Sequence, residues 1–197
     1  MRKIILMLTV FMALLLTYST SCNNSPETKK EAVNTEISND SLIKRGDYLI
    51  SAIGGCDDCH TPKKMTDHGP IVDMDKRFSG YPADKPLGKI DTNIIKNGML
   101  VFSGDLMAFA GPWGVSFAAN ISSDETGLGT WTIDNFKKAI REGKLKGIDG
   151  TRPILPPMPW EVFKNMNDDD LSAIFAFLKS TKPIKNVVPT PRKLSEL

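Results

Sequence analysis

Cysteine and histidine are scarce in this sequence. Its 197 residues hold three cysteines and two histidines. A structural zinc site takes four such ligands, and beyond Cys56, Cys59 and His60 the only other histidine is His68 and the only other cysteine is Cys22, at the end of the N-terminal apolar segment. Neither sign of charge dominates. The formal net charge is +2, and loss of Arg2 and Lys3 with a leader would bring the chain near neutrality. No broad basic field argues for nucleic acid. Also missing are an internal repeat, a Ser/His/Asp set, a Gly-rich phosphate loop and a long apolar run. The longest such run, Ile4 to Leu16 broken only by Thr9, is shorter than the ~20 residues that span a bilayer.

What is present begins with targeting. Arg2 and Lys3 precede the apolar run, and Ser19-Thr20-Ser21 supplies small residues at its end. This is a secretory pattern, so residues 1–21 are expected to be a signal peptide. Cys22 directly follows, as in the lipobox of bacterial lipoproteins, where that cysteine is acylated. The usual Leu three positions earlier is Ser19 here. Ordinary cleavage near Ser21 is the alternative. Residues 22–40 are polar and lack aromatics, so they are expected to form a flexible, lipid-anchored tether.

The domain is expected over residues 41–191, with 192–197 as a tail. Leu42, Ile43, Tyr48, Leu49 and Ile53 share a helical face, and Gly54-Gly55 ends that helix before Cys56. The stretch from Thr61 to Asn120 is rich in Gly and Pro. Asn97-Gly98 lies between Ile94-Ile95 and Met99-Leu100-Val101-Phe102, which predicts a small β-hairpin on a type I′ turn. Thr132 to Glu142 is predicted helical, capped by Thr132 and closed by Gly143. A last helix is predicted from Asp168 to Ser180, with Asn167 as its cap and Leu171, Ile174, Phe175 and Leu178 as its apolar stripe. The fold class is therefore mainly α.

The informative motif is Cys56-Asp57-Asp58-Cys59-His60. Cys-x-x-Cys-His is the attachment motif of c-type haem. Thiols at i and i+3 share one face of a helical turn, so both reach the vinyl groups of one macrocycle. The following histidine then meets the iron. A thioredoxin-type motif would need a βαβ context that the chain lacks. With Cys22 lipidated and two thiols on haem, no thiol remains for a disulfide.

A second iron ligand must come from elsewhere. Methionine is a common partner to histidine and raises the reduction potential. Met65, Met74, Met99, Met107, Met158 and Met166 are available after residue 22. Met158 stands in Pro156-Pro157-Met158-Pro159-Trp160, a stiff loop suited to holding a weak thioether bond. His68, eight residues after His60, is the rival ligand; core packing is the bland role for any methionine. Trp113, Trp131 and Trp160 could donate indole N–H groups to haem propionates or simply pack. Arg152, close to the methionine loop, could neutralise a propionate, and Asn120 could brace that loop.

In its order of helix, Cys-x-x-Cys-His, long loop, methionine loop and C-terminal helix, the span from Leu42 to Pro191 resembles a class I cytochrome c. More closely, it is similar to the cytochrome c domains of membrane-bound cytochrome subunits serving bacterial alcohol and sugar-acid dehydrogenases. The segments that carry this likeness are Gly111-Pro112-Trp113-Gly114, Ala119-Asn120-Ile121-Ser122-Ser123-Asp124, Gly127-Leu128-Gly129-Thr130-Trp131-Thr132, Pro156-Pro157-Met158-Pro159-Trp160 and Asp169-Asp170-Leu171-Ser172-Ala173-Ile174. Those subunits typically carry three haem motifs, whereas this chain has one. The resemblance implies a class I fold around one covalent haem c, held by Cys56 and Cys59, with His60 proximal and Met158 distal. It also implies crossing of the N- and C-terminal helices near Gly54-Gly55 and Phe175.

The expected function is one-electron transfer outside the cytoplasm, without catalysis. Redox partners would be a dehydrogenase, a quinol-linked complex or a terminal oxidase, and the protein would sit in the periplasm or cell envelope. The alternative is a haem enzyme or ligand sensor, peroxidase-like, with an open sixth iron position.

Overall fold

The computed structural model describes residues 38–197. The expected signal peptide, Cys22 and most of the expected tether lie outside the described residues. Ser38 accepts a hydrogen bond from Ser41 N–H, so helix α1 (Asn39–Tyr48) starts ahead of the expected Ser41. One wide π-turn follows, Leu49–Ile53, closed by Gly54 N–H on the Leu49 carbonyl. Gly55 at φ 58° then turns the chain into α2 (Cys56–His60), a backbone region open to glycine.

The Gly/Pro-rich middle holds more strand than expected. β1 (Lys63–Thr66) and β2 (Gly69–Val72) form an antiparallel hairpin. After α3 (Thr92–Lys96) come β3 (Val101–Phe102), β4 (Ala108–Gly111) and β5 (Gly114–Phe117), a second antiparallel sheet in that order. The hairpin turns are Asp67-His68 and Pro112-Trp113. Asn97-Gly98 is not one. Asn97 has φ −85° and ends α3. Gly98 N–H reaches the Ile95 carbonyl and Met99 N–H the Ile94 carbonyl, the paired bonds of a Schellman stop. Only Gly98 needs positive φ there, which is why a turn signal of this type suits a helix end as well as a hairpin.

Three further helices complete the chain: α4 (Ile133–Glu142), α5 (Trp160–Phe163) and α6 (Asp168–Ser180). The first and last match their predicted bounds. Thr132 and Asn135 form a reciprocal capping box, Gly143 closes α4 at φ 64°, and Asn167 caps α6. α1 crosses α6 at Gly46, where an added Cβ would collide with the Ala173 carbonyl oxygen. The crossing is thus about two turns before Gly54-Gly55. Phe175 packs instead on Phe136 of α4, centroids 5.4 Å apart. Within residues 192–197, Arg192 bridges Val115 and Leu194 packs against the sheet core.

The apolar interior is divided. A helix-side cluster gathers Leu49, Ile50, Phe78, Leu128, Phe136 and the stripe of α6, with Cys56, Met158 and Met166 against it. A sheet-side cluster gathers Tyr81, Met107, Ala108 and Ala118, with Cys59 against it. A third lies under α3 and the sheet. Among the described residues no helix is long and apolar enough to cross a membrane.

Candidate haem-attachment site

α2 is a single helical turn, so Cys56 and Cys59 fall on one face. Both thiols are half-buried and unpaired. Burial pushes the Cys56 thiol up to about 12, with Asp57 adding to the rise. Burial also raises Cys59. The two are neutral thiols, unlike the depressed thiolates of redox-active or metal-binding pairs.

His60 ends the turn. Its Nδ1 lies 2.7 Å from the Ala119 carbonyl oxygen. A carbonyl only accepts, so Nδ1 carries the proton and Nε2 keeps its lone pair. Burial lowers the imidazole pKa, against the raising effect of that carbonyl. The ring is therefore a neutral donor aimed by its backbone partner, as a metal ligand needs to be.

Several residues that carry no motif hold this arrangement. Gly80 N–H donates to the His60 carbonyl, and Tyr81 N–H donates to the Ala118 carbonyl. Gly80 has φ 74°, and a Cβ there would lie 2.5 Å from Ala119 C and Asn120 N. Only glycine lets the segment 118–120 come this close to the end of α2. Asn120 is buried and donates to Thr126 Oγ1 and the Ile184 and Asn186 carbonyls, while its Oδ1 accepts from Ser122. It braces the turn over 122–126 against the segment at 184–186, and not the methionine loop. Asn186, which no sequence motif marks, donates to the Ser79 and Tyr81 carbonyls and accepts from Ala83 N–H.

Two cationic side chains also grip α2. Lys63 Nζ donates to the carbonyls of Asp57, Asp58 and Thr61, placing positive charge at the carbonyl end of the turn. Arg77 makes a two-pronged pair with Asp57, Nε to Oδ1 at 3.0 Å and Nη2 to Oδ2 at 2.7 Å. Nothing in the local sequence links positions 57 and 77.

The methionine candidates separate by environment. Met65, Met74 and Met99 are exposed, Met107 is fully buried in the sheet-side cluster, and Met158 and Met166 pack against the same cluster as Cys56. His68 is exposed at the tip of the β1–β2 hairpin. The Met158 loop is pinned at both ends. Trp113 Nε1–H donates to Ser116 Oγ, which donates to the Pro156 carbonyl. At the other end, the Trp160 ring covers Gly143, where a Cβ would collide with the indole. Trp113 is thus engaged inside the protein and is not free for a propionate. Arg152 is exposed and donates to the Pro153 carbonyl.

This donor set fits a covalent tetrapyrrole. Two adjacent neutral thiols are matched to thioether formation, and an oriented neutral imidazole and a half-buried thioether are iron ligands of the kind found with haem. Among the described residues no cluster of His, Cys, Asp and Glu suits another metal ion.

No family model matches the chain. It is similar to a nicotinate dehydrogenase subunit from Pseudomonas putida, 38% identical over 84 residues, 42% of this chain and 7% of that protein. It is also similar to the gluconate 2-dehydrogenase cytochrome c subunit of Pantoea cypripedii, 30% identical over 155 residues, 78% of this chain and 26% of the relative. The cytochrome c subunit of the quinone alcohol dehydrogenase of Gluconobacter oxydans is 28% identical over 155 residues, 78% of this chain and 24% of the relative. The chain spans about a quarter of the length of these two cytochrome subunits. Over more than three quarters of its length, this chain is a homologue of the cytochrome c subunits of bacterial dehydrogenases.

Proposed function

We propose that the chain is a monohaem class I c-type cytochrome that passes single electrons outside the cytoplasm between a dehydrogenase or quinol-linked donor and an acceptor such as a terminal oxidase. The observation that carries this reading is the neutral, carbonyl-oriented His60 at the end of a turn bearing two unpaired thiols. When bound, haem c supplies an iron that cycles between two oxidation states without breaking a bond to the protein.

The chain's own residues do the rest. Cys56 and Cys59 fix the group through thioethers. His60 Nε2 serves as the proximal donor, and the Ala119 carbonyl keeps it in that tautomer. Met158 serves as the distal donor, its loop pinned through Ser116 and Trp160. With an imidazole and a thioether from the chain both available to hold the iron, no substrate would need to reach the metal. Cys22 carries lipid, and the following residues tether the domain to a membrane of the envelope.

The test is optical. A pyridine haemochrome spectrum of the mature protein is expected to report one covalent haem, lost in Cys56→Ala and Cys59→Ala. The ferric protein is expected to show a weak red charge-transfer band that disappears in Met158→Ala. Absence of covalent haem sinks the whole reading. High-spin iron that binds cyanide rapidly in the native chain sinks the methionine ligand.

A further inference from the structure

The Asp57–Arg77 pair is, among the described residues, the one ion pair that reaches into the attachment turn. Asp57 follows Cys56 directly, and its side chain is 17% exposed against 22% for Arg77. Arg77 donates through Nε and Nη2 to both carboxylate oxygens, and Thr61 Oγ1 donates to Asp57 Oδ1 at 2.8 Å. Thr61, directly after His60, is fully buried and accepts from Phe78 N–H. Phe78 is buried at φ 63°, an uncommon conformation for a bulky residue that the surrounding contacts must enforce. The Arg77 guanidinium lies 4.5 Å from the Phe78 ring centre and 5.4 Å from that of Phe177. Ser51 Oγ accepts from Nη2 at 2.7 Å, and Asp47 is a more distant second partner at 3.5 Å. A flat, delocalised cation thus lies near two aromatic rings while forked onto the carboxylate, a task suited to Arg rather than Lys.

Two half-buried opposite charges next to the electron-accepting centre cancel in the native state. Remove one and the other is left in a medium where charges act at longer range than in water. We infer that Asp57 and Arg77 are positioning residues whose balanced charges set the reduction potential of the site, an inference that rests on the haem reading of Cys56 to His60. The step concerned is one-electron reduction of the iron by an external reductant, with no bond made or broken and no proton exchanged.

The signs follow. Reduction adds one negative charge. Arg77→Gln leaves the Asp57 carboxylate uncompensated, opposes reduction and lowers the potential. Asp57→Asn leaves the guanidinium and raises it. The double variant removes both charges and returns toward the native value. Each single variant is expected to change the reduced-to-oxidised ratio at fixed potential by about tenfold, which is about 59 mV for one electron. Lys63, the other cation on the turn, is unchanged throughout the cycle.

Spectroelectrochemical titration of the native holoprotein and the three variants reads these shifts, with a pyridine haemochrome assay on each sample. Opposite signs in the single variants and near-cancellation in the double support the inference. Shifts of one sign in both, or no shift, overturn it while covalent haem remains intact. Native protein without covalent haem overturns the haem reading instead. If Arg77→Gln does not accumulate with haem, Asp57→Asn alone decides: a rise supports the inference and a fall or no change refutes it.

Discussion

At the scale of single residues, the site is held by contacts between distant parts of the chain. Gly80 shows this most sharply. Its positive φ and its contact with Ala119 and Asn120 mean that one methyl group would both strain the backbone and push the carbonyl that orients His60. Gly80→Ala is expected to lower stability by roughly 2 kcal/mol or more, read as a fall in the urea midpoint with unchanged slope. It should also reduce the yield of covalent haem. Gly80→Ala with native midpoint and native yield would contradict this account of the His60 support. Cys56, Cys59 and His60 are legible because their chemistry is written in five consecutive residues. Met158 stands out through its flanking prolines. Arg77, Lys63, Gly80 and Asn186 are not legible, because their partners lie elsewhere in the chain or, for Lys63, are backbone carbonyls that no side-chain motif announces.

Elements are readable where one local signal has one structural meaning. Thr132 with Asn135, Gly143, and Asn167 before three aspartates fix the bounds of α4 and α6. Asn97-Gly98 misleads because a glycine at positive φ serves a helix stop and a type I′ turn alike; the choice depends on whether Thr92 to Lys96 coils, and Asp91 caps that segment. The hairpins form instead at Asp67-His68 and Pro112-Trp113. The helix crossing is misplaced for a different reason. Gly54-Gly55 is conspicuous as a pair, but Gly46 is the glycine pressed against α6. Gly46→Ala should separate α1 from α6 at a cost of about 1–3 kcal/mol, seen as a lower thermal midpoint. A Cβ on Gly54 would meet nothing closer than 3.2 Å, so Gly54→Ala should cost less; the reverse ranking would refute this placing of the crossing.

For the whole molecule, the sequence conveys a helical domain with an irregular middle, but not that the middle builds a sheet of its own with a separate apolar cluster. Short strands of two to four residues carry too little alternation to be recognised before their partners are known. The chain end shows the same limit: Arg192 and Leu194 read as a polar tail until Val115 and the sheet core are beside them. The proposed attachment to a membrane rests on Cys22, outside the described residues. If Cys22 is acylated, the native protein is expected to partition with membranes and into detergent, and Cys22→Ala to move to the soluble fraction. A native protein that is itself soluble would exclude the anchor.

The division of the interior has one last consequence. Cys56 belongs to the helix-side cluster and Cys59 to the sheet-side cluster, although one helical turn separates them. A macrocycle bonded to both sulfurs would therefore lie against both clusters of the folded chain at once, although the covalent link itself, from Cys56 to Cys59, closes too short a loop to restrain the unfolded chain as a disulfide does. Losing such a group would cost this protein apolar packing shared by two clusters as well as a redox centre.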